Sequence, residues 1–170
     1  MIQTHFTGTN ITSSSEEAFS LFQKSVFGES KSGKVEYSNV EILYLQENNK
    51  AEVFSGKNKL NHQELIKKLR KKDKKIEIKY AVFKDLRSKG YILKTALKFG
   101  AEFRVYERGV RPGADHARWI LYTVKENDAL NWHEFAAKNR VAHAVKKNLL
   151  IAIVDDESDV SYYEIAWKKI

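Results

Sequence analysis

The chain has no cysteine, which excludes a disulfide framework, a thiolate nucleophile and every metal or iron–sulfur site built on cysteine. With one proline and eight glycines in 170 residues, collagen-like and low-complexity architectures are closed to it. No apolar run approaches the roughly 20 residues that a membrane-spanning helix needs. The opening MIQTHFTGTN lacks a basic segment followed by a hydrophobic one, so the default expectation is a cytoplasmic protein with no membrane partner. What is present, 42% hydrophobic and 31% charged residues, fits one domain or two small ones, long enough to bury a core without staples.

Acidic residues are the scarcer charge. Thirty Lys and Arg against 22 Asp and Glu leave a net charge of +8, which favours a polyanionic partner, RNA or DNA above all. From Lys57 to Lys79 there are ten basic residues and three acids, a net +7 that accounts for nearly all of the excess. The run KKLRKKDKK reads first as a solvated helix end and turn, of the kind a heat-adapted surface carries, and second as a contact to RNA.

The pattern along the chain predicts an α+β fold. A strand is expected at Ile2–Phe6, then a helix around Ser15–Lys24 with Glu16 and Glu17 in its first turn. Residues 27–37, rich in Gly, Ser and Lys, read as a loop. Asn39 is the expected cap of a helix whose Val40, Leu43 and Tyr44 share a face, and Ala51–Phe54 reads as a strand. Asn61 and Glu64 have capping-box spacing ahead of Leu65, Ile66 and Leu69. At about Ile76 the character changes. Ile76, Tyr80, Phe83 and Leu86 fall at helical spacing, with Gly90 as the stop. Strands then follow at 91–97, 102–106, 118–124, 149–154 and 160–167, interrupted by one helix, NWHEFAAKNRVAHAVKK, with Trp132, Phe135, Ala136, Val141, Ala142 and Val145 near one face. The expected organisation is a small mixed α/β domain over residues 1–75 and a second domain over 76–170, a mixed sheet flanked by helices.

Chemistry concentrates in GAEFRVYERGVRPGADHARW. A strand ends at Tyr106, and a loop containing the only proline, Pro112, between Gly109 and Gly113 returns the chain at His116. Taken alone, a strand-end tyrosine and a loop histidine are as compatible with a rim and a solvated side chain as with a site. Of the other histidines, His143 reads as a packing residue, and His5, His62 and His133 as surface.

The second half resembles the catalytic domain of the tRNA-intron endonuclease family, as found in archaeal tRNA-splicing endonucleases. Four blocks stand in family order: YAVFKDLRSKGYILKTALKFGAEFRVYERG, DHA, RVAHAVKKNLLIAIVD and DVSYYEIAWKK. Ala96 stands where the family usually has glycine. The resemblance implies an active site of Tyr106, His116 and Lys147, with no cofactor and no metal. It implies cleavage of precursor tRNA at bulge–helix–bulge structures, leaving a 2′,3′-cyclic phosphate and a 5′-hydroxyl.

Those residue types suit metal-free RNA cleavage, in which a neighbouring 2′-hydroxyl loses its proton, the leaving 5′-oxygen gains one, and phosphorane charge is neutralised. Histidine titrates near neutrality and suits the acid. Lysine is a point charge suited to phosphate oxygens. A tyrosine hydroxyl ordinarily titrates at about 10, so a tyrosine base needs positive charge nearby, and Lys147 is the implied source. In-line attack requires extruded bulge nucleotides. The family grips a flipped base between an Arg and a second planar side chain; Arg140 matches the first and Tyr162 stands near the place of the second.

Two symmetric cuts need two active sites, hence an oligomer, either a homotetramer or a heterotetramer with a structural subunit. The resemblance implies an acidic insertion loop, here Glu126 and Asp128, and subunit pairing through EIAWKKI. A polar connecting loop explains the two acids equally well. Two other readings stand beside the endonuclease: an RNA-binding or structural subunit without activity of its own, and a metal-dependent nuclease, for which only Asp155 and Asp156 at a turn offer ligands.

Overall fold

The computed structural model describes residues 1–170 as two compact units, Met1–Tyr80 and Ala81–Ile170. In unit 1 the elements run β1 (Ile2–Phe6), β2 (Ile11–Ser13), α1 (Glu16–Ser25), β3 (Glu29–Lys31), β4 (Lys34–Tyr37), α2 (Asn39–Glu47), β5 (Ala51–Ser55), β6 (Asn58–Leu60) and α3 (His62–Arg70). The strands form one sheet in the order β3-β4-β2-β1-β5-β6, in which β1 and β5 are parallel and every other pair is antiparallel.

Residues 27–37 are not the loop that their composition suggests. They hold the β3–β4 hairpin, turning at Ser32 and Gly33, both at positive φ, the backbone that a two-residue hairpin turn demands. Val35 and Tyr37 of β4 are buried in alternation, a two-residue period too short to stand out beside Gly, Ser and Lys. Gly28 leads in at φ +76, and a Cβ there would lie 2.5 Å from Val35 Cγ1 and 2.9 Å from the Glu36 carbonyl oxygen, so only glycine fits.

The cap of α2 is Ser38, one residue before the expected Asn39, because Ser38 and Glu41 form a reciprocal capping box. Glu41 is 4% exposed, and its carboxylate does three jobs: it accepts from the backbone N–H of Ser38 (2.9 Å), the Ser38 hydroxyl (2.8 Å) and the backbone N–H of Gly28 (3.0 Å). It thus ties the helix start to the hairpin. α3 opens on the Asn61–Glu64 capping box and turns Leu65 and Leu69 inward, as expected.

Unit 2 takes most of α4 (Ile76–Ser88), then β7 (Ile92–Ala96), a 3-10 turn at Leu97–Phe99, β8 (Ala101–Tyr106), β9 (Trp119–Lys125), α5 (Trp132–Ala144), β10 (Asn148–Val154) and β11 (Val160–Ile165). The sheet order is β11-β10-β9-β8-β7, with only β9–β10 parallel. A five-helix, two-sheet chain of this kind is the α+β fold anticipated. Ala96 sits at an ordinary φ of −124°, and the positive φ of the turn falls on Gly100, so the absence of glycine at 96 costs nothing.

One sheet face packs Ile120, Tyr122, Leu149 and Ile151 against Ala142, Phe135 and Val145 of the α5 region. Phe103, pointing the other way, meets Phe83 of α4 at 6.1 Å between ring centroids. α5 is less buried than its apolar pattern implies. Ala142 alone is fully buried, whereas Trp132 is 84% exposed and Ala136 also faces solvent. Trp132 is the first helical residue; its ring meets only that of Phe135, edge-on at 5.7 Å between centroids, and the rest of it stands in solvent. His143 is likewise exposed rather than packed in the core.

Replacing Glu41 by Ala should destabilise unit 1 by about 3 kcal/mol, because a buried N–H at Gly28 loses a charged acceptor. Urea denaturation would measure the loss, and an unchanged midpoint would show that the carboxylate is dispensable.

Candidate active site

Sheet topology brings three sequence-distant residues to one end of unit 2. β8 runs antiparallel to β9, so its last residue, Tyr106, lies beside the start of β9, where the loop carrying His116 rejoins the sheet. β10 runs parallel to β9, with Asn148 in register with Trp119, so Lys147 arrives at that same end. Two backbone bonds lock the junction: Arg118 N–H to the Val105 carbonyl and Asn148 N–H to the Arg118 carbonyl, both 3.0 Å.

Side-chain alternation then sorts the faces. Arg104 pairs with Ile120 and Ile120 with Leu149, so these three share the face that α5 covers. Tyr106 and Lys147 are each two residues from a member of that set and carry the same parity. The electrostatics agree: burial first, and the nearby Arg104 guanidinium second, hold the Lys147 ammonium below the ordinary lysine pKa.

Each residue is positioned by local chemistry. α5 ends in a Schellman motif: Lys146 adopts a left-handed φ of 58° and donates to the His143 carbonyl, while Lys147 N–H donates to the Ala142 carbonyl, both at 2.9 Å. That sharp stop points the chain into β10. The loop after Tyr106 turns at Glu107–Val110 and again at Arg111–Asp115, where Asp115 accepts from the backbone N–H of His116 at 2.7 Å. Ala117, 5% exposed, pins the returning chain.

The functional groups themselves are free. The His116 imidazole is exposed, the Tyr106 hydroxyl has no protein partner although its ring is buried, and the Lys147 ammonium has only a long 3.5 Å contact to the Val145 carbonyl.

The sheet end is braced by a network of four side chains. Arg118 bonds Glu107 and lies 3.6 Å from Glu164, which also accepts from Asn148, so β8, β9, β10 and β11 are cross-linked beside the site. Arg118 also covers the ring of Trp119 at 4.8 Å. No group of three or more His, Asp or Glu side chains is gathered to hold a metal ion, and Asp155 serves its own turn by accepting from the N–H groups of Glu157 and Asp159.

The two RNA-binding candidates are not brought together. Arg140 is exposed on α5. Tyr162 pairs with Ala152, whose parity is that of Leu150 and Asn148, and so faces away from α5. Its hydroxyl donates to Asp85 of α4 at 2.7 Å; burial, then that bond, pushes its pKa up. The planar side chain on the side of α5 is Trp167, 53% exposed and 4.3 Å from the ring of His143, three residues beyond Arg140 on the same helix. Sequence spacing gives no warning of this, since 27 residues and two strands separate Arg140 from Trp167. The one available signal was strand alternation, which places Tyr162 and Tyr163 on opposite faces.

The sheet end thus gathers a tyrosine, a histidine and a lysine whose polar groups are unengaged or nearly so, groups that can donate or accept protons and attract an anion. Residues 76–162 match the family model for the tRNA intron endonuclease catalytic C-terminal domain, and the chain belongs to that family. Its relatives include the tRNA-splicing endonucleases of Thermococcus onnurineus, 43% identical over 169 residues (99% of this chain and 97% of the relative), and Thermococcus kodakarensis, 41% identical over 170 residues. That of Nanoarchaeum equitans is 43% identical over 136 residues, covering 76% of this chain and 87% of its own length.

A lysine whose pKa falls on folding costs stability while it is charged. The cost fades as pH rises from the folded-state pKa toward the ordinary value. Lys147→Met should therefore raise the melting temperature at neutral pH and abolish the alkaline gain in stability that this group supplies. A variant that melts lower at pH 7 would contradict that picture of the site.

Proposed function

We propose that the chain is the catalytic subunit of an endoribonuclease that excises introns from precursor tRNA, with residues 76–170 as its catalytic domain. The observation that carries this reading is the convergence of Tyr106, His116 and Lys147 on one end of the sheet in a chain of this family. Tyr106 takes the proton of the 2′-hydroxyl next to the scissile phosphate. His116, on its exposed loop, protonates the departing 5′-oxygen. Lys147, with Arg104 close by, supplies positive charge on the face where phosphorane charge develops. The products are a 2′,3′-cyclic phosphate and a 5′-hydroxyl, formed without metal or cofactor.

The substrate is a bulge–helix–bulge RNA, whose extruded nucleotides permit in-line attack. Arg140, exposed and unpaired, grips a flipped base together with a planar side chain, for which Trp167 is better placed than Tyr162. Paired cuts require paired sites, so the active species is an assembly of subunits. β11 is the free edge of its sheet and carries Tyr163 at 57% exposure, a surface that favours pairing with another chain. In the connecting loop Asp128 accepts from the Lys125 N–H at 2.9 Å, which leaves Glu126 as the free acid for an inserted-loop contact.

The test is incubation of the purified chain with a bulge–helix–bulge RNA in EDTA, with the product ends resolved. Two cuts bearing cyclic phosphate are expected. His116→Ala should slow cleavage by about 100- to 10,000-fold, the usual contribution of a general acid, with RNA binding retained. Cleavage that disappears in EDTA sinks the metal-free mechanism, and binding without products, alone or with a partner, assigns the chain a structural role.

A further inference from the structure

The densest charge in the molecule lies outside both the site and the region matched by the catalytic family model. α3 turns Leu65 and Leu69 inward, while Lys67, Lys68, Lys71 and Lys72 are exposed; Lys74 and Lys75 are exposed in the turn that follows. The three acids of this stretch are all engaged elsewhere. Glu64 accepts from the Asn61 N–H at 2.9 Å, Asp73 accepts from Lys79 Nζ at 2.7 Å and from the Lys75 N–H at 3.0 Å, and Glu77 pairs with Arg70 at 2.6 Å. None of the six lysines is in an ion pair.

Two ordinary explanations fall short. Cations suit a helix C-terminus, but that benefit fades within the last turn, and Lys71 to Lys75 lie beyond the end of α3. Heat-adapted surfaces carry lysine in networks with glutamate, whereas here the acids are outnumbered and already taken. Six uncompensated charges within nine residues repel one another unless a polyanion covers them.

Their arrangement suits phosphates rather than bases. Lys67 and Lys71, the latter still in helical backbone as the C-cap, are about one turn apart, roughly 6 Å along the axis, and Lys72 follows in the turn closed by its N–H on the Leu69 carbonyl. Positions 67–75 contain no aromatic side chain on which a base would stack and no Asn or Gln to read a base edge.

We propose that the Lys67–Lys75 surface of unit 1 is a sequence-independent grip on the phosphate backbone of duplex RNA. It rests on the reading that the substrate is a tRNA precursor, much of which is A-form duplex, and it contributes affinity rather than chemistry.

The experiment measures binding of a plain RNA duplex without bulges, between 50 and 200 mM salt, to the full chain and to a variant with Lys67, Lys68, Lys71 and Lys72 each changed to Gln, a good helix former. The slope of log K against log salt should become shallower by about 3, so the affinity lost over that fourfold range shrinks by about 60-fold. A control with Lys24, Lys31, Lys34 and Lys50 changed to Gln should leave the slope nearly as in the parent. On bulged RNA the lysine variant should show a higher KM with kcat and cut positions unchanged. An unaltered slope, or tighter binding of the parent chain to anionic phospholipid vesicles than to the duplex, overturns the proposal. Lysine-dependent duplex binding in a chain that does not cleave bulged RNA, alone or with a partner subunit, would uphold the grip while refuting the endonuclease reading.

Discussion

The parallel pairing of β9 with β10 is the constraint on which unit 2 depends. A parallel neighbour cannot be reached by a tight turn, so the chain must leave the far end of β9, cross a sheet face and begin β10 at the end where β9 began. α5 makes that crossing, and its apolar contacts with Ile120, Leu149 and Ile151 follow from it. So does the position of Lys147, which is delivered beside Trp119 and therefore beside the antiparallel end of β8 that carries Tyr106. Were β10 antiparallel to β9, the lysine would start from the opposite end of the sheet, about 20 Å away for strands of this length.

The site so formed is held at some energetic cost. Lys147 is partly desolvated near a second cation, and Lys146 takes a left-handed backbone that favours glycine. The bracing comes from the Arg118, Glu107, Glu164 and Asn148 cluster and from the two backbone bonds through Arg118, which hold the strand ends while leaving the Tyr106, His116 and Lys147 groups unengaged. Rigid strands under free side chains are what the proposed site requires of a preorganised arrangement.

Much of the architecture was legible in the residues. Long elements with strong periodicity or reciprocal caps, such as α3 with Asn61 and Glu64, and β10 with its run of Leu, Ile and Val, read correctly because local preference and tertiary role agree. The β3–β4 hairpin was not legible, since its strands are three and four residues long and its turn residues dominate the composition. The exposure of Trp132 was missed for a related reason: a helical face is periodic in sequence, but how far along it the sheet reaches is not.

The sequence by itself determined which groups the protein has to work with: no thiols, a net positive charge concentrated before Lys79, and the motif-borne Tyr106, His116 and Lys147. It also determined the alternation that separates Tyr162 from Tyr163. Only the tertiary structure decided which of these groups meet. Strand order and direction placed Tyr106, His116 and Lys147 at one end of the sheet, turned Tyr162 toward Asp85 and set Trp167 against His143 on the helix that bears Arg140. Spacing along a chain encodes neighbours within a helix or strand, whereas proximity between strands is settled by the pairing that buries the most apolar surface with every backbone group bonded.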